Sequence, residues 1–126
     1  MGFITSAVRG AVCSENTEES IIENTAGLYS VLLSKNGIQE DRIVSVVFTL
    51  TPDLNVCNPA KALRLKGFCT RVPLFCCQEA YIDGMLPKVI RVLITWNADE
   101  SWLKKNTVTP VYMNGAEVLR PDLSGK

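Results

Sequence analysis

The chain has 126 residues, 13 basic and 13 acidic, and no histidine. A formal net charge of zero argues against nucleic acid as the main partner, because phosphate binding leaves a basic excess. With 47% hydrophobic residues, the chain can bury a real core without metal or disulfide staples, and it reads as one domain, residues 1–126.

The five cysteines, at 13, 57, 69, 76 and 77, are odd in number and form no C-x-x-C pair. Together with the lack of histidine, this speaks against a zinc site of the usual kind. Free thiols in a reducing compartment are the expectation, hence a cytoplasmic protein. The start, MGFITSAVRGAV, lacks the basic and apolar regions of a signal peptide. Gly2 and Ser6 match an N-myristoylation pattern, but the β-branched FITSAV reads better as a first strand. No apolar run is long enough to span a bilayer, so no membrane partner is expected.

Residues 3–9 form the first strand in this reading, ending at Arg9. A helix follows over 14–36, with Asn16 as N-cap, Glu19 in a capping-box position and Gly37 as the stop. Its apolar face carries Ile21, Leu28 and Leu32, flanked by Ile22, Tyr29 and Leu33. IVSVVFTL, 43–50, has no charge and reads as a central strand. Asn58-Pro59 opens a short helix, PAKALRL, running to Gly67. FCTRVPLF is one or two strands interrupted at Pro73, with Glu79 at the end of FCCQE. After a turn at Ile82-Asp83-Gly84 comes the strand KVIRVLITW. Residues 97–107 are a surface loop or short helix, and TPVYMNGAEVLR is a strand with a turn signal at Asn114-Gly115. The tail RPDLSGK is loose at its end. The order β–α–β–α–β–β–β predicts an α+β domain, a mixed sheet covered by one long helix. The strands are too apolar for the other face to meet water, so a homo-oligomer is expected.

Arg91 is the residue that least fits a core. It interrupts VIRVLITW, sharing a face with Val89 and Leu93. Such an arginine either sits at a sheet rim, pairs with a buried carboxylate of the chain, or binds an anionic ligand in a pocket. Arg9, Glu79, Tyr112 and Arg120 are each ordinary alone. As a set without histidine or metal ligands, they suit binding and orienting a small polyanion, with positioning and electrostatics in place of proton transfer. Cys76 and Cys77 read as small buried hydrophobes, since a nucleophilic thiol would want a base.

Several stretches carry a resemblance: VRGA at 8–11, NTEESI at 16–21, FTLTPDLN at 48–55 and PAKALR at 59–64. VPLFCCQE at 72–79, PKVIRVLITWN at 87–97, VY at 111–112 and EVLRPDLS at 117–124 continue it in order. Together they resemble the small monofunctional chorismate mutases of the AroH class. That resemblance implies a cofactor-free, metal-free Claisen rearrangement of chorismate to prephenate, on the route to phenylalanine and tyrosine. It also implies a homotrimer whose sheets pack into a barrel-like core, with active sites between subunits. By the same resemblance, Arg9 binds a substrate carboxylate, and Arg91 faces the ether oxygen that gains negative charge. Glu79 and Cys76 contact the ring hydroxyl, and Tyr112 contacts the side-chain carboxylate. Arg64 and Arg120 shape the cleft and attract the dianion, while Lys61 and Leu119 line it. Arg91, Glu79 and Arg9 are the catalytic residues of this reading.

Two positions depart from the pattern. Asn58 stands where an aromatic residue is usual before the PAKA-like segment, and Phe75 stands where a smaller one is common. A trimeric binding module of the same fold, with little or no catalysis, is the alternative these departures leave open.

Overall fold

The computed structural model describes residues 2–123. Five strands form one mixed sheet, β1 (Phe3–Cys13), β2 (Ile43–Leu50), β3 (Leu74–Gln78), β4 (Val89–Asp99) and β5 (Val111–Met113), in the order β3-β2-β4-β1-β5. β4 pairs antiparallel with β1 and with β2, while β3 and β5 add in parallel at the two edges. Three helices, α1 (Glu18–Asn36), α2 (Pro59–Leu65) and α3 (Glu100–Lys105), complete the α+β fold, with short 3-10 turns at Glu40–Arg42 and Ala116–Leu119.

The pleat sorts the side chains. Val8 and Val12 of β1, Val46 and Phe48 of β2, and Ile90, Val92, Ile94 and Trp96 of β4 all point to one face and are buried. α1 covers that face with Ile21, Leu28, Tyr29 and Leu32. Each such side chain contributes about 1.5–3 kcal/mol by leaving water. Gly10 is needed where α1 and β5 both come close. A Cβ there would stand 2.8 Å from the Val111 carbonyl oxygen and 3.0 Å from a Leu32 methyl.

The opposite face is different. Ala7, Arg9, Arg91 and Leu93 are exposed there, Leu93 at 45%. Only one end is covered, by a small cluster of Ala11, Val89, Tyr112 and Ala116 that the residues after β5 build, with Leu119 and Leu123 packed against it. Val89 does share a face with Arg91 and Leu93, but it lies under this cluster.

Several boundaries differ from the sequence reading. β1 continues to Cys13, so Arg9 sits in mid-strand and does not end it. Helix α1 starts at Glu18, and its N-cap is Thr17, whose hydroxyl accepts from the Ser20 amide at 3.1 Å. Asn16 is occupied elsewhere: its side chain exchanges two hydrogen bonds with Asn55, tying the start of α1 to the loop after β2. Asn58 does cap α2, accepting from the Ala60 amide at 2.8 Å, and Pro59 follows at the first helical position. β3 begins only after Pro73, and residues 68–73 form no strand. Residues 97–99 belong to β4, and α3 follows them. Asn114 and Gly115 do turn the chain with positive φ, but a 3-10 turn follows them and no hairpin strand forms, because Ala116 packs fully buried against Ala11. The expected loose tail end, residues 124–126, lies outside the described residues.

Candidate active site

A cleft of about 330 Å³ lies on the open face, between the Tyr112 cluster and the β2 side of the sheet. The ladder register explains who meets there. Arg91 pairs across to Ala11 on β1 and Thr49 on β2, and Ala11 in turn pairs with Tyr112 on β5. Arg9 pairs with Leu93, one step along. Arg9 and Arg91 are therefore diagonal neighbours on one face, a spacing of about 7–8 Å in such a ladder. Two arginines on adjacent strands line the same cleft, with Tyr112 on β5 also lining it.

Glu79 closes the other side. Its amide donates to the Leu50 carbonyl oxygen at 2.8 Å, carrying the chain one residue beyond β3 in register with β2. Its carboxylate Oε1 accepts a hydrogen bond from the Thr49 hydroxyl and lies 3.6 Å from Arg91 Nε. Glu79 is largely sheltered and Arg91 more open, at 25% and 46% side-chain exposure. The pairing satisfies the buried end of the ion pair and leaves guanidinium N–H groups for a ligand. Arg91 is thus not enclosed in a core within one chain, which corrects the sequence reading of its surroundings. It stands on the face that α1 leaves bare.

The structure brings Arg9, Glu79, Arg91 and Tyr112 into one cleft and places the other sequence-derived residues elsewhere. Cys76 lines a separate depression with Asn58 and Cys57. Burial there pushes its thiol pKa up, reinforced by neighbouring Cys77, so it is held as a thiol. Lys61 and Arg64 are exposed on α2. Leu119 packs behind Tyr112 in the tail cluster. Arg120 forms a two-pronged pair with Asp122, at 2.8 and 3.1 Å, which holds the Asp122 carboxyl below its usual range. Thr49, Val47 and Leu93 line the cleft without having been singled out from the sequence. Alternation in IVSVVFTL does put Val47 and Thr49 on one face, but only the β2–β4 register aligns that face with Arg91. Among the described residues, no three acidic, cysteine or histidine side chains converge as a metal site.

The model of the family described as chorismate mutase type I matches residues 5–123. The chain belongs to the type I chorismate mutase family. Chorismate mutase AroH of Thermus thermophilus is 42% identical over 118 residues, covering 92% of this chain and 93% of that protein. Chorismate mutase AroH of Bacillus subtilis is 36% identical over 118 residues, covering 93% of this chain and 91% of its own. Among solved structures, a chorismate mutase from Clostridium thermocellum superposes with a TM-score of 0.80 at 38% identity, covering 90% of this chain and 98% of that one. Family membership gives the cleft a context: the open face carries its arginines, and the covered face is ordinary core. No helix among the described residues is long and apolar enough to cross a membrane.

Proposed function

We propose that this protein is a chorismate mutase, a single-domain isomerase that converts chorismate to prephenate in the biosynthesis of phenylalanine and tyrosine. The observation that carries the reading is the Arg9–Arg91 pair facing one cleft, with Glu79 held against Arg91. In the Claisen rearrangement a C–O ether bond breaks as a C–C bond forms within one molecule. The ether oxygen gains negative charge, and the ring it leaves becomes electron-poor. Arg91 donates to that oxygen, and Glu79 faces the ring and its hydroxyl. Arg9 and Tyr112 hold carboxylate. The stabilisation is electrostatic, strongest where charge appears only in the transition state. No proton changes hands, so a chain without histidine lacks nothing the step needs.

The active assembly is a homotrimer with a barrel-like core of sheets. Support comes from the open face, where Leu93 is 45% exposed beside Val47 in the isolated chain. It comes also from Cys76, Lys61 and Arg64, which lie away from the cleft on the α2–β3 side. A neighbouring copy presenting that side would exclude water from Arg91 and strengthen its field. The tail that carries Leu119 and Arg120 packs next to Tyr112 and would border the cleft in this assembly. Five free thiols support a cytoplasmic location.

Loss of chorismate absorbance, followed directly with purified protein, tests the activity. Steady consumption with prephenate as product is expected. Thermal protection by chorismate without consumption would instead identify a binding module. Sedimentation should give one species near three times 13.9 kDa; an active monomer would remove the interface from the mechanism.

A further inference from the structure

The chain enters β4 through a backbone conformation that its residue disfavours. Lys88, immediately before the strand, has φ +56°, in the left-handed region where a Cβ is crowded. Strain of that kind persists only where the surroundings hold it. Arg91 follows three positions later, about 10 Å along the strand. The strand that carries the cleft's central arginine therefore begins with a step that something else must hold.

The segment after β2 holds it. Both oxygens of the Asp53 carboxylate accept from the Lys88 amide, at 3.0 and 3.2 Å. The Thr51 hydroxyl donates to Asp53 Oδ1 and accepts from the Val89 amide at 3.0 Å. Two consecutive amides thus end on one aspartate–threonine pair. The Thr51 amide returns a bond to the Val89 carbonyl oxygen at 3.1 Å, and the Ser14 amide donates to the Lys88 carbonyl oxygen at 3.0 Å. Thr51 and Val89 are buried, whereas Asp53 reaches in from the surface. The Lys88 ammonium pairs with Glu15 at 3.1 Å, between exposed side chains, where an ion pair contributes little.

The node calls for a carboxylate. Asp53 accepts from an amide and a hydroxyl at once, and an ionised carboxylate has acceptor sites for both and no donor to set against them. A carboxamide would keep one such oxygen and turn a donor toward the other contact. We propose that Asp53 is a positioning residue for Arg91. Through Thr51 and the Lys88 amide it fixes where β4 begins, and so where the guanidinium stands against Glu79. The effect on rate rests on the mutase reading, whereas the placement of Arg91 does not.

The test compares Asp53→Ala, Lys88→Gly and the double variant. Asp53→Ala should lower kcat for chorismate about tenfold or more with little change in KM, because a displaced guanidinium is felt in the transition state. Glycine adopts positive φ freely. Lys88→Gly should therefore turn over normally, and in that background Asp53→Ala should cost about threefold or less. In an Arg91→Ala background, Asp53→Ala should add less than about twofold, since the residue it positions is gone. The Arg91 Nε–H resonance, followed by proton–nitrogen NMR, should shift in Asp53→Ala and return toward its original position in the double variant with Lys88→Gly. Should Asp53→Ala fail to fold, Asp53→Asn is read in its place, with a loss of about threefold expected. Unchanged kcat in the Asp53 variant, an equal loss in the Lys88→Gly background, or an Arg91 resonance that does not move overturns the proposal. If the unaltered protein consumes no chorismate, the mutase reading falls, and the resonance alone decides whether Asp53 places Arg91.

Discussion

Glu79 Oε1 lies 3.6 Å from Arg91 Nε, and the Thr49 hydroxyl donates to that same oxygen. One carboxylate oxygen thus links three strands: β4 through Arg91, β2 through Thr49, and the end of β3 through its own backbone. The pair orients the guanidinium without consuming all of its donors. Removing Arg91 should therefore affect rate far more than folding. Arg91→Ala is expected to lower kcat by about 10²–10³-fold or more, the scale of one lost transition-state donor. Its thermal unfolding should stay close to that of the unaltered protein. Arg91→Lys should recover little, since an ammonium offers no planar fork. Near-normal turnover in Arg91→Ala, measured by chorismate absorbance, would remove Arg91 from the mechanism.

Thr49 donates to Glu79, and in the proposed mechanism it acts through that carboxylate as a positioning residue. Thr49→Val deletes the hydroxyl and keeps the shape. Lower kcat with little change in KM is the expected result, about tenfold, and smaller than the loss in Glu79→Gln, where the charge itself disappears. In a Glu79→Gln background, Thr49→Val should add little, because the two act on one carboxylate. Additive losses in the double variant would mean that Thr49 acts independently.

Asn58 accepts from the Ala60 amide at 2.8 Å as the N-cap of α2. Asn58→Ala should cost about 1 kcal/mol, a fall in Tm of about 3–5 °C for a chain this size. Asn58→Phe should show the same loss of stability. The same variant tests the departure from the family pattern, since an aromatic there should leave chorismate binding equal or tighter. Calorimetry and the KM for chorismate read the two effects separately. Unchanged Tm in both variants would mean that the cap is energetically idle.

A buried cluster predicts alkaline sensitivity. Tyr29 donates to Glu40, the Cys69 thiol donates to the Tyr29 hydroxyl at 3.0 Å, and the Cys69 amide donates to Glu40 at 3.1 Å. Burial pushes the Cys69 thiol up from its ordinary 9.0 to about 11, although the Tyr29 contact pulls it down in part. Burial likewise raises the Tyr29 phenol, helped by its bonds to Cys69 and Glu40. Both groups hold their protons more tightly in the folded state. Their stabilisation is complete below the unfolded value and is lost as pH rises through the folded one. Urea midpoints should therefore fall between pH 9 and 11. Cys69→Ser keeps a hydroxyl for Tyr29 and does not ionise in that window, so its midpoints should fall less steeply. Parallel curves for the two proteins would exclude Cys69 as a source of the slope.

Many of the elements are legible in local residue patterns. The β-branched run IVSVVFTL, the interrupted run around Arg91, and the pair Asn58-Pro59 encode local preferences that no packing partner reverses. β2 and the α2 cap duly appear where the residues put them, and β4 runs on past Trp96 to Asp99. The start of α1 is less legible, because Asn16 and Thr17 are both good caps. Only the contact with Asn55, 39 positions away, draws Asn16 off and leaves Thr17 to the helix. The turn signal at Asn114-Gly115 is real, yet burial of Ala116 against Ala11 makes the next element a 3-10 turn in place of a strand.

By itself, the sequence determined the fold class and the family and named the residues of the candidate cleft, because periodicity, capping chemistry and an ordered set of motifs are local properties. The tertiary structure decided which of those residues meet. Strand order β3-β2-β4-β1-β5 and its registers bring Arg9, Arg91, Tyr112 and Glu79 to one face, and leave Cys76, Lys61 and Arg64 on another side of the chain. Register is a long-range choice, set by which face α1 covers. A shift of one residue would have sent Arg9 or Arg91 into the core.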